Sequence, residues 1–165
     1  MVKKEIMLSS RKIIIIFFLL FIISIIVYNS FNKIDSTKIE QLTDLWIYNV
    51  TQKNDSNSIA QMFCDNGNLV GTVSQIKRQG IDIKKYFDYF AKLPEIKVVD
   101  KKYDITEVVP NVYINTALIT WSWKGLDNPI VARMTFLFKN KCIFQLHSSA
   151  LPDLNQDLKN ISGLA

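Results

Sequence analysis

The sequence predicts an α+β fold preceded by one transmembrane helix, and three observations carry that prediction. A nearly unbroken apolar run, Ile13–Tyr28, stands close to the N-terminus. Apolar residues then recur at helical spacing over about 37–52 and again through Gly80–Pro94. From Ile96 onward the pattern shifts to runs of β-branched and aromatic residues separated by turn residues. Helices first and antiparallel strands afterwards give an α+β layout.

The apolar run IIIIFFLLFIISIIVY is interrupted only by Ser24. As a helix it would reach roughly 24 Å at 1.5 Å per residue. A bilayer core is about 30 Å thick, so the predicted span borrows flanking residues and covers 13–31. Lys3, Lys4, Arg11 and Lys12 in the flank 1–12 precede it, whereas Lys33, Asp35, Lys38 and Glu40 follow in balance. That asymmetry places the N-terminus in the cytoplasm and the domain outside it. No small-residue cleavage site follows, since Val27-Tyr28-Asn29-Ser30-Phe31 is bulky, so the segment reads as an uncleaved signal anchor. The alternative is a cleaved signal and a secreted or periplasmic domain.

Residues 32–37 form a short polar linker, 38–154 the domain and 155–165 a C-terminal tail. Ser36 or Thr37 is placed to cap the first helix, with Glu40 completing a capping box. Ile39, Leu42, Trp46, Ile47 and Val50 form its apolar stripe. Asp55 and Ser56 restart a short helix, Asp65-Asn66-Gly67 is turn chemistry, and Leu69–Ser74 reads as a strand. Asp82 is expected to cap a third helix with the stripe Ile83, Tyr86, Phe87, Phe90 and Leu93, ended by Pro94. Ile96–Val109 and Val112–Trp123 follow as strands. Ile130–Phe138 and Cys142–Ser149, around Lys139-Asn140-Lys141, read as a hairpin.

Strand alternation divides that hairpin into two faces. One carries Ile130, Ala132, Met134, Phe136, Phe138, Cys142, Phe144 and Leu146; the other carries Val131, Arg133, Thr135, Leu137, Ile143, Gln145, His147 and Ser149. With Phe138 opposite Cys142, Arg133 and His147 become cross-strand neighbours. The strand from Val112 likewise sets Val112, Ile114 and Leu118 against Tyr113, Ile119, Trp121 and Trp123. Neither face reads as freely solvated, so a sheet-mediated homodimer is expected, favoured further by membrane tethering.

ARMTFLF, LHSSALP, LVGTVS and GIDIKKYFDYFAKLP together resemble the association (hub) domain of calmodulin-dependent protein kinases and its SgcJ-like relatives. These belong to the nuclear-transport-factor-2-like, SnoaL-like superfamily, and the resemblance covers roughly 38–154. It implies a cone-shaped, cystatin-like roll, in which a curved antiparallel sheet wraps on the N-terminal helices. It also implies assembly through the domain and a cavity that accepts small anions beside an arginine, which places Arg133 there. Lys84 and Tyr86 fall where relatives contribute pocket residues from the third helix; on pattern alone Lys84 is solvated and Tyr86 is core.

Composition narrows the function classes. The net charge of +5 is dispersed rather than gathered into a stripe, which argues against nucleic-acid binding. His147 is the only histidine, a candidate acid/base without an orienting carboxylate at close spacing. Arg133 suits a carboxylate or phosphate partner, or else an internal acid such as Asp104 or Glu107. Two cysteines and one histidine make no metal set, and no cofactor fingerprint is present. An extracytoplasmic location permits a Cys64–Cys142 bridge, but spacing leaves that pairing open. The leading function is a membrane-anchored, dimerising, non-catalytic module that binds a small anionic or amphipathic ligand, or a protein partner, using Arg133, His147, Lys84 and Tyr86. The alternative is a SnoaL-type isomerase, cyclase or hydrolase with His147 as base and Arg133 steadying an oxyanion.

Overall fold

The computed structural model describes residues 15–24, 35–72 and 76–151. They belong to two compact units, Met1–Lys33 and Ile34–Ala165. In the first, residues 15–24 are helical and their apolar side chains are exposed, Phe17 at 68% and Phe21 at 62%. Among the described residues no helix is long and apolar enough to cross a membrane. The rest of the expected span, residues 13–14 and 25–31, lies outside the described residues, as do the flank 1–12 and the tail 155–165.

The second unit opens with helix α1, Ser36–Tyr48. Its cap is Asp35, one residue earlier than expected: the carboxylate accepts the Lys38 amide at 2.8 Å, satisfying an otherwise orphaned donor. α1 runs into a π-helical turn, Asn49–Lys53, and stops at Asn54, whose φ of +51° is left-handed. The Asn54 side-chain amide donates to Val50 O and, at 2.7 Å, to Ala91 O, tying this end to the third helix. Helix α2, Ser56–Gln61, starts at Asp55 as expected. Helix α3, Ile81–Phe90, begins after Gly80 at φ +51°; Asp82 is not its cap but sits in the first turn, paired with Lys85 at 2.9 Å.

Six strands complete the unit: β1 Phe63–Val70, β2 Lys77–Gln79, β3 Lys97–Val109, β4 Val112–Ser122, β5 Ile130–Lys139 and β6 Cys142–Ala150. They form one curved, unclosed sheet in the order β2-β1-β6-β5-β4-β3. The long strands lie where the alternation put them. β2 has too few residues for an alternation to show. β1 begins six residues earlier than expected, and the residues Val73 and Ser74 of the expected strand lie outside the described ones. One pairing corrects the all-antiparallel expectation: β1 runs parallel to β6, across a long intervening stretch of chain, as a parallel pair requires.

Asp65-Asn66-Gly67, expected as a turn, is a bulge inside β1. The pairing jumps from Phe63↔Ile143 to Asn68↔Gln145, so β1 takes up more residues than β6 across Cys64–Gly67. A Cβ on Gly67 would meet Ile143 O at 2.7 Å and Cys64 O at 2.9 Å, which explains the glycine. Because β1 lies beside β6, Cys64 meets Cys142 in a disulfide with Cα atoms 5.1 Å apart.

The inner face of the sheet packs on the helices through Trp46, which makes edge contacts to Phe136, Phe87 and Trp121 at centroid distances of 5.3, 5.8 and 6.1 Å. Rings at these separations add to the burial energy. Polar residues are built into this core as well: Asn115 Nδ2 donates to Thr43 Oγ1 at 2.8 Å, and Thr43 donates to Ile39 O. At the sheet's far edge, Asp44 of α1 accepts from Tyr103 and Lys101 of β3. Burial first, then the Asp44 carboxylate, pushes the Tyr103 phenol far above its ordinary range.

Candidate functional site

Alternation along β4 turns Trp121 inward, and Trp123 follows just beyond the strand's end. α3 sets Tyr86, Tyr89 and Phe90 opposite them, with Leu93 in the turn that follows. These six side chains line a cleft of about 280 Å³ between helix and sheet, with Ile130, Ala132 and Ala150 on the strand side. That is near the lower end of the range for small-molecule sites, and the mainly apolar, aromatic lining is typical of them. Phe90 and Trp121 meet edge-on at 5.4 Å.

Tyr86 is held in place by several contacts. It stacks on Phe90 at 5.9 Å, and the Arg78 guanidinium lies 5.0 Å above its ring. Gly71 lets it approach β1, because a Cβ there would fall 2.7 Å from the ring. Burial pushes its phenol above the ordinary value, an effect that the neighbouring Thr72 and Arg78 partly offset. Thr72 Oγ1 in turn shares a 2.6 Å hydrogen bond with the buried Ser148 Oγ. Below the cleft lies a recess of about 10 Å³, lined by Trp46, Met134, Leu146 and Ser148 together with Thr72, Tyr86, Phe90 and Trp121, which the two cavities share.

The residues expected to bind ligand are not brought together. Tyr86 lines the cleft. Lys84, two positions earlier, borders a different and more open groove of about 530 Å³ formed by α2, the start of β1 and the start of α3. There it pairs with Asp88 at 2.8 Å. Its ammonium, together with a 2.5 Å hydrogen bond from Ser56, holds the Asp88 carboxyl below the ordinary carboxylate value.

Arg133 and His147 are exposed on the outer face of the sheet and line neither cavity. Arg133 lies between Leu118 of β4 and Ser149 of β6, and carries no ion pair among the described residues. His147 lies between Thr135 and Val70. The direct Arg133–His147 pairing expected from the sequence is therefore corrected to a diagonal one. The turn pairs Lys139 with Cys142, and a bulge skips Phe144, so the register moves by two from that expectation. The same bulge turns Ile143, expected outside, to the buried face.

Apart from Tyr86, which the resemblance set in a pocket, the aromatic cleft residues were legible only as core. Trp121, Phe90 and Leu93 belong to stripes that burial alone would explain; the available signal was surplus aromatic surface at the end of β4 and on the last turn of α3.

No family model matches the chain, and no curated protein does. Solved structures show its fold. A protein from Xanthomonas campestris assigned as a calcium/calmodulin-dependent protein kinase II association domain is 23% identical, with a TM-score of 0.63 over 73% of this chain and 90% of its own. SalBIII, an epoxide hydrolase/cyclase-like enzyme of salinomycin pyran-ring formation, is 15% identical, with a TM-score of 0.57 over 72% and 94%. A nuclear-transport-factor-2-like protein from Cytophaga hutchinsonii is 18% identical, with a TM-score of 0.50 over 68% and 89%.

Proposed function

We propose that the chain is a membrane-anchored binding module. Residues 13–31 hold it in the bilayer, and the domain stands on the extracytoplasmic side, dimerises through the outer face of its sheet, and accepts a small amphipathic molecule without transforming it. The observation that carries this reading is the aromatic cleft of about 280 Å³ at Tyr86, Phe90, Trp121 and Trp123. The Cys64–Cys142 disulfide supports the location, because such bridges persist in oxidising compartments. Leu118 and Val131, 37% and 36% exposed on the outer face, support self-association. Binding is favoured over SnoaL-type turnover because the acid/base and oxyanion residues that reading needs, His147 and Arg133, stand on the other face of the sheet.

Thermal-shift measurements on the full-length chain with small neutral aromatic amphiphiles test this. Wild type, Arg133→Ala and His147→Ala are expected to be stabilised alike, and Trp123→Ala to lose the response. Turnover of a bound compound that disappears in His147→Ala would overturn the non-catalytic reading.

A further inference from the structure

The recess beneath the cleft carries information about which molecule fits. Trp46 is 1% exposed, fixed by three edge contacts, and its Nε1 has no hydrogen-bond partner among the described residues. A buried donor without an acceptor is costly, and such a group in a cavity wall points to a missing partner. Trp46 lines the recess, whose free space of about 10 Å³ is close to one water-sized sphere. Of the other polar groups there, the Thr72 and Ser148 hydroxyls are already hydrogen-bonded to each other. Trp46, a residue that lines the recess, thus carries a donor in need of an acceptor.

No Lys or Arg lines the cleft or the recess among the described residues. The Arg78 guanidinium lies 5.0 Å over the Tyr86 ring but is not among the lining residues, so a carboxylate or phosphate buried there would have no cation in direct contact, which disfavours the anion expected from the sequence. We propose that the ligand of this cleft is an uncharged molecule with an apolar, aromatic-sized body ending in one hydrogen-bond acceptor, of the carbonyl class, and that the acceptor takes the Trp46 Nε1–H while the body fills the space between Trp121, Trp123 and α3. This rests on the binding role proposed for the cleft.

The test compares butyrophenone with butylbenzene, which differ by a carbonyl, on the full-length chain in lipid nanodiscs with empty nanodiscs as the partition blank. Butyrophenone is expected to bind about tenfold more tightly, the scale of one buried hydrogen bond. Trp46→Phe, which keeps a ring and removes the donor, is expected to erase that preference, so that the two probes bind alike. In the ¹⁵N-labelled wild type, butyrophenone should shift the Trp46 indole resonance, identified as the one that persists in both Trp121→Phe and Trp123→Phe. Equal affinities, a preference that survives Trp46→Phe, or a Trp46 resonance that butyrophenone leaves in place while it binds would each overturn the proposal and leave the cleft a plain apolar site. If Trp46→Phe does not fold, the wild-type resonance decides. Failure of both probes to bind would instead remove the binding role of the cleft, and this inference with it.

Discussion

Along β5, Ala132, Met134, Phe136 and Phe138 are buried, while Val131, Arg133, Thr135 and Leu137, alternating with them, look outward and are exposed or half-buried. The two faces are written in the same ten residues. The inner face is uniform in composition, yet it builds the cleft and its recess. The outer face holds the residues that stand out in a sequence, Arg133 and His147, and it is the face that folding of a single copy leaves uncovered. Chemical conspicuousness and location in a cavity are therefore separate properties: a charge is tolerated in a strand where the side chain reaches water, whereas a binding surface for an apolar molecule looks like core.

The largest effect should come from truncating one side of that alternation. Phe136→Ala removes a fully buried ring in contact with Trp46 and should cost the domain about 4 kcal/mol in denaturant unfolding. Its neighbour Leu137→Ala, on the half-buried outer face, should cost less than about 1.5 kcal/mol. Equal losses would mean that the outer face is as tightly packed as the inner one within a single copy, and the contrast between them would collapse.

Next in size is the disulfide, which clips the one region where alternation breaks down on both partner strands, at the β1 bulge and the Phe144 bulge. Closing a loop of 78 residues' separation restricts the unfolded chain by an amount worth up to about 4 kcal/mol. Cys64→Ser with Cys142→Ser should lower the melting temperature by an amount matching about 2–4 kcal/mol, and added reductant should have no further effect on that variant. A melting temperature unaffected by reduction of the wild type would show that Gly67 and the ladder hydrogen bonds hold the bulge unaided.

How far the sequence disclosed this architecture depends on the range of the interaction. Period-two alternation found β3 to β6 and put Tyr113, Ile119 and Trp121 together on the buried side of β4, because side-chain direction in a strand is a local property. Features that need a distant partner were not legible. The Cys64–Cys142 bridge follows from β1 lying beside β6, which nothing near either cysteine encodes. The diagonal relation of Arg133 to His147 hinges on a single skipped residue. The cleft was harder still: Trp121 and Phe90 satisfy the core pattern, and only three-dimensional packing shows that they leave space between them. Trp46 was read correctly as core, but its unpartnered nitrogen is a property of its surroundings, not of its position in a stripe.

The smallest effect belongs to the outer face and sharpens the comparison most, since it asks what covers that face. Leu118 is 37% exposed, and its cross-strand neighbour on β5 is Arg133. If two copies meet there, Leu118→Lys places a second cation beside the first in a self-facing interface, where both must lose water without gaining a partner. The dimer dissociation constant should rise at least about tenfold by sedimentation, equivalent to about 1.4 kcal/mol. The fold of each copy should change by less than about 1 kcal/mol, because like charges directly opposite on an exposed ladder repel only weakly. A wild-type chain that stays monomeric at high micromolar concentration would leave the outer face without the proposed cover. A dimer indifferent to Leu118→Lys would move the contact elsewhere, and Arg133 would then be a solvated residue of an open sheet rather than part of an interface.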